Sequence, residues 1–216
     1  MPLIKRGSAS GTRLPTSAET PPRAASHASL ASRLADLRSA EAERRWRAAR
    51  ALGRDPEVVP ALAAALRCEP VARVREAITT ALLRIGTEAS VAVLIDCLRC
   101  NDAGLRAAAI EALQALPTAV RPFVEALLAD ADSDVRILAT ELMRNMPERD
   151  VTELLCRLIE HEPHPNVCAA AIEVLTEAGT SDAIPVLEAC SRRFAHDPFL
   201  PFAISVAIAR ISGTEG

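Results

Sequence analysis

The chain has 216 residues, half of them apolar, with a formal net charge of −3 and a sequence pI near 5.9. That is ample apolar material for a continuous core, and the charge balance argues against a protein built to hold a polyanion. With four Phe, a single Trp and no Tyr, the core must be made of Ala, Leu, Val and Ile; 24 of the 25 basic side chains are Arg, which reads as compositional bias rather than recognition.

Residues 1–38 carry six basic and two acidic side chains, a net +4, so the rest of the chain is −7. The first 26 residues are rich in Ser, Thr, Pro, Gly and Ala and show no apolar period. A segment of that kind has nothing to bury and is predicted to be disordered. No apolar stretch follows Lys5 and Arg6, and no run reaches the ~18 apolar residues of a membrane span, so the sequence predicts a cytoplasmic protein with neither signal nor anchor. The predicted organisation is a basic tail over 1–28, a helical unit over 29–212 and a flexible C-terminus over 213–216.

From Leu30 the pattern changes. Leu30, Leu34 and Leu37 share one helical face and read as a capping half-unit. A helix is then predicted from Glu41 to Leu52, holding Trp46, with Asp55-Pro56 leading into a second from Val58 to Arg67. The next pair is Ala72 to Ile85 and Ser90 to Arg99, separated by Gly86 as a C-cap. A third runs Gly104 to Leu116 and Val120 to Ala129, broken at Pro117. The fourth occupies Asp132 to Glu162: Asp132-Ser133-Asp134 supplies N-cap oxygens, and Met146-Pro147 ends its first helix. A fifth spans Asn166 to Ala178 and Ala183 to Phe194. A last helix, Leu200 to Ile211, follows Asp197-Pro198.

These pairs are one unit repeated. Arg45, Arg75, Arg106, Arg136, Cys168 and Pro201 align with steps of 30, 31, 30, 32 and 33 residues. The second helices align through Pro60-Ala61-Leu62, Ala92-Val93-Leu94, Pro122-Phe123-Val124, Thr152-Glu153-Leu154 and Pro185-Val186-Leu187. A two-helix unit of this length cannot bury its own apolar face and must stack on its neighbours. The spacing, the Arg early in each first helix and the Pro opening second helices resemble the HEAT-like repeat family, in the short form also found in phycobilin lyases. The resemblance covers Leu30 to Ile211 and departs from the Arg pattern at Cys168 and Pro201. It implies an all-α, right-handed α-α superhelix, a solenoid of about five helix pairs with half-repeats at both ends.

The candidate chemistry is sparse. The aligned Arg residues are expected to bind acids or carbonyls of the loops between repeats, such as Asp102, Asp132 or Asp134, and so to fix the stacking rather than form a site. Cys97 and Cys100 form a C-x-x-C at a helix end with no strand nearby, unlike a thioredoxin-type pair. Cys156, His161, His164 and Cys168 match a zinc site in composition, but Cys156 and His161 lie about 140° apart round a helix at 3.6 residues per turn. No metal and no cofactor are predicted. The deoxyhypusine hydroxylases of the resembled family need several His-Glu pairs, and only His161-Glu162 is present. Its alkylpurine DNA glycosylases need a basic, aromatic concave face, which a repeat region of −7 with one Trp does not offer, so no nucleic acid is expected.

What remains is surface. The resemblance places the second helices on the concave side, where the candidate contacts are Arg67, Asp96, Arg99, Glu125, Glu153, Arg157 and Glu188; mixed charges there suit a protein partner. The last helix is apolar nearly all round, and Phe194, Phe199, Phe202 and Ile208 mark it as a partner or homodimer surface. The sequence thus predicts a non-enzymatic scaffold for a protein partner, with a phycobilin lyase-like chromophore chaperone or bilin lyase as the alternative.

Overall fold

The computed structural model describes residues 23–213, which form twelve α-helices and three 3₁₀ turns and, among these residues, no strand. A leading helix α1 (Arg23–Asp36) is followed by five pairs: α2 (Ala42–Leu52) with α3 (Val59–Cys68), α4 (Ala72–Ile85) with α5 (Glu88–Cys97), α6 (Ala103–Gln114) with α7 (Pro117–Leu128), α8 (Ser133–Leu142) with α9 (Glu148–His161), and α10 (Pro165–Ala178) with α11 (Ile184–Arg193). The last helix is α12 (Leu200–Gly213), and the 3₁₀ turns are Pro56–Val58, Met143–Asn145 and Ser181–Ala183. The tail expected over 1–28 lies outside the described residues as far as residue 22, as do residues 214–216; α1 starts at Arg23, within the span assigned to the tail.

Several boundaries have a clear local cause. Asp102 accepts the Leu105 N–H at 2.8 Å and Asp132 accepts the Asp134 N–H at 2.9 Å, each satisfying a donor left open at a helix start. Gly86 closes α4 at φ +61°, its N–H bonded to the Leu82 carbonyl at 3.0 Å, a left-handed conformation that only Gly adopts cheaply. One expectation is corrected. Pro117 does not precede the helix but opens it, three residues before Val120, because a Pro in the first turn has no N–H that the helix needs. Pro122, expected to open that helix, sits inside it with its ring exposed.

The helices stack in two layers. First helices follow one another, α2 on α4, α4 on α6, α6 on α8, α8 on α10 and α10 on α12, while α3, α5, α7, α9 and α11 form the second layer. Equivalent leucines, Leu52, Leu82, Leu113, Leu142 and Leu175, are each no more than 1 % exposed, and Leu62, Leu94, Val124, Leu154 and Leu187 repeat the burial on the second helices. One apolar core therefore runs unbroken from Leu37 to Ile211. At about 1.5–3 kcal/mol per buried leucine, this register is what each pair gains by stacking on the next.

A groove between the second helices as the candidate functional site

The aligned arginines are structural, as expected, though they reach further than their own loops. Arg45 holds both oxygens of Glu69 at 2.7 and 2.8 Å and donates to the Ser39 and Ala40 carbonyls at 2.9 Å. Arg136 repeats the arrangement with both oxygens of Glu162 at 2.7 and 2.8 Å and with the Asp130 and Ala131 carbonyls. Arg75 binds Asp102 at 2.9 Å, and Arg106 the Cys100 carbonyl at 2.6 Å. Each guanidinium thus ties the loop before its own helix, and three of the four also bind a carboxylate of the following loop. The Arg45 guanidinium and the Val71 N–H hold Glu69 below the usual carboxylate range despite its burial. For Glu162, burial acts upward, but the Arg136 guanidinium and the His164 N–H together outweigh it and lower the carboxyl. Asp132 and Asp134, considered as Arg partners, serve at the start of α8 instead.

Cys168 breaks the series, and the structure shows what replaces the missing arginine. Arg193, at the end of α11, sends its guanidinium to the carbonyls of Ile159, Glu160 and Glu162, the last at 3.1 Å, and lies 3.8 Å from the Cys168 sulfur. It satisfies the open carbonyls at the C-terminus of α9. Cys168 and Cys190 are both no more than 1 % exposed, and the Cys168 thiol donates to the Glu162 carbonyl oxygen at 3.7 Å. The interaction between the two thiols pushes Cys168 up and Cys190 down, with Arg193 beside them favouring the thiolate. Sequence reasoning missed this cluster. The signal available was Arg193 itself, which falls at the alignment position held by Cys68, Cys100, Asp130 and Glu160 in the earlier pairs.

A groove of about 450 Å³ opens between α7 and α9. One wall is α7, with Glu125, Leu128 and Ala129; the other is α9, where Leu154, Arg157, Leu158 and His161 recur at three- and four-residue spacing and so share one face. The Arg136–Glu162 pair closes one end, next to Asp130 and Pro163. Asp130 is held ionised first by the Asp132 N–H and then by Arg99. Arg157 makes only exposed ion pairs, with Glu153 at 3.1 Å and Glu125 at 3.8 Å.

The structure gathers three of the predicted contacts, Glu125, Arg157 and, at the rim, Glu153, and adds Arg99 through its ion pair with Asp130. Arg67, Asp96 and Glu188 are exposed on other second helices. On the opposite layer a second groove, about 580 Å³, is floored by Ala169 and Ala170 of α10 and walled by Ile137 of α8 and by Phe199, Phe202 and Val206 beside α10. Phe199 and Phe202 are 58 % and 67 % exposed. Phe194 is half-buried under the Arg193 guanidinium, and Ile208 is half-buried against the core, away from Phe202. Cys156, His161, His164 and Cys168 are dispersed: His164 precedes α10, Cys168 is buried, and no group of three or more His, Cys, Asp or Glu among the described residues is arranged around a common point. No helix among the described residues is long and apolar enough to cross a membrane.

A model of HEAT repeats matches residues 29–114 and 120–197. The chain belongs to the HEAT repeat family. An archaeal HEAT-like repeats protein from Thermococcus onnurineus shares the fold at a TM-score of 0.51 and 18 % identity, over 87 % of this chain and 88 % of its own. Two curated relatives are both named bilin biosynthesis protein PecE. The protein from Nostoc sp. is 35 % identical over 126 residues, 57 % of this chain and 49 % of its own; that from Mastigocladus laminosus is 33 % identical over 148 residues, 66 % and 54 %. The HEAT-repeat chain spans about half the length of these curated relatives. They correct the expectation of a non-enzymatic scaffold, since both take their name from bilin biosynthesis.

Proposed function

We propose that this protein handles a bilin, holding the linear tetrapyrrole while it is joined to, or taken from, a cysteine of a second protein, as a bilin lyase or a component of one. The observation that carries the reading is the 33–35 % identity to two bilin biosynthesis proteins over 126 and 148 residues. The groove between α7 and α9 supports it, being of the size of small-molecule sites and combining an apolar floor with a few polar groups. The extended surface of a solenoid offers room for a protein as well as a chromophore. Phe199 and Phe202, exposed on the opposite layer, are the proposed contact for the second protein, with a second copy of this chain as the competing occupant. We place the protein in the cytoplasm, where six free cysteines remain reduced.

The test is direct. Purified protein is titrated with biliverdin and the visible absorbance followed. A shifted spectrum that saturates at one bilin per chain supports the reading; an unchanged spectrum, with pigment lost on gel filtration, removes it.

A further inference from the structure

Resting on that reading, we infer that the groove between α7 and α9 binds the bilin through its propionate carboxylates, with Arg157 and His161 as the two donors and Glu125 as acceptor for a pyrrole N–H. Arg136 and Arg157 both line the groove. Arg136 is committed: its Nε and Nη2 are spent on Glu162 and its Nη1 on two carbonyls, in a site where its side chain is 10 % exposed. Arg157 is available, because its two ion pairs are exposed and such pairs contribute about 0–1 kcal/mol.

His161 lies one turn beyond Arg157 on the same face, and its ring makes no hydrogen bond among the described residues. The spacing sets two donors side by side along one wall, above the leucine floor of Leu128, Leu154 and Leu158. A linear tetrapyrrole matches this pattern, since its two carboxylates project from one edge of a long apolar body.

The acids distinguish themselves in the same way. Asp130 already accepts from the Asp132 N–H at 2.9 Å and pairs with Arg99, whereas Glu125 has only contacts of 3.8 Å, to Arg121 and Arg157. When Arg157 turns to a ligand carboxylate, Glu125 is left facing the groove, free to accept from a ligand N–H. A purely anionic ligand would find this acid repulsive, and a purely apolar one would leave Arg157 without gain. A ligand carrying both carboxylates and N–H groups satisfies the whole set.

The experiment compares biliverdin with its dimethyl ester on the full-length protein and on Arg157→Ala and His161→Ala, with Arg84→Ala, at an exposed position on α4, as a control outside the groove. Biliverdin should bind each groove variant about tenfold or more weakly than the unaltered protein, the loss expected for one charge-assisted hydrogen bond. The ester, which lacks both carboxylates, should bind the unaltered protein about a hundredfold or more weakly than biliverdin and should not distinguish it from Arg157→Ala. Arg84→Ala should bind biliverdin as tightly as the unaltered protein. Both groove positions are exposed, so circular dichroism should be unchanged. If biliverdin binds but the groove variants and the ester match the unaltered protein, the assignment of the groove falls while bilin handling stands. If biliverdin does not bind at all, both fall.

Discussion

Arg136→Met breaks the most buried ion pair among the described residues. The Glu162 side chain is 2 % exposed and its two oxygens are held at 2.7 and 2.8 Å by the guanidinium, with the His164 N–H at 3.0 Å. Removing the guanidinium leaves a carboxylate buried with one remaining donor, a defect that costs about 3–5 kcal/mol. For a chain of this length each kcal/mol moves the melting temperature by about 2–4 °C, so the midpoint should fall by roughly 6–20 °C. Urea unfolding followed by circular dichroism gives the free energy directly.

The pH dependence supplies the sharper check. In the unaltered protein Glu162 titrates below its free value of 4.5, so its contribution is present above that pH and is lost as pH falls through the lower folded value. In Arg136→Met burial acts almost unopposed and the carboxyl titrates above the free value, so protonation relieves the defect. The gap between the two proteins should therefore be largest at pH 7 and narrow towards pH 4. Adding Glu162→Leu should recover most of the loss at neutral pH, because an apolar pair fills the site without a stranded charge. A loss below about 1 kcal/mol at pH 7, or a gap that does not change with pH, would refute the reasoning about stranded charge.

Three further outcomes are expected. Gly179→Ala should cost about 1–3 kcal/mol in thermal unfolding, since the new Cβ would lie 2.4 Å from the Leu175 carbonyl oxygen, a backbone atom that cannot swing aside, whereas Gly213→Ala meets nothing within 4 Å and should be silent. Phe202→Glu should leave stability within about 0.5 kcal/mol, because the ring is already 67 % exposed, while abolishing capture of a biliprotein by the bilin-loaded protein; undiminished capture would free this face of that role. An aromatic disulfide reagent should label exposed Cys68 first and reach Cys97, Cys168 and Cys190 only on unfolding, Cys97 being both buried and pushed up to about 11; labelling of Cys168 at the rate of Cys68 would show that the pair opens in the native state.

The repeat was legible because burial imposes it at every level. A leucine that must be dry in each first helix returns about every 30 residues, from Leu52 to Leu175, and the loop-binding arginine returns with it. What the sequence pattern did not carry were contacts made between units that differ. The replacement of the absent arginine at Cys168 by Arg193 comes from a different helix, 25 residues on, and no alignment of like with like finds it. Ile208 was selected with Phe202 because α12 is apolar nearly all round, yet the helix turns Ile208 towards the core and leaves Phe202 and Val206, one turn apart, in the open.

The candidate site follows the same logic. Arg136 and Arg157 face one groove; the repeat alignment sets Arg136 apart as a stacking residue but does not identify the partner that commits it. The difference lies 26 residues from Arg136, in a glutamate that the next loop buries against it, while the acids near Arg157 remain in water. A buried, bidentate pair is committed because separating it strands a charge; an exposed pair can be exchanged at almost no cost. The opening is equally a property of neighbours, for its lining comes from both α7 and α9, which the apolar period of neither helix alone encodes. A repeat that uses one arginine to lock its stacking and leaves another loosely held beside the gap has separated the requirements of folding from those of binding.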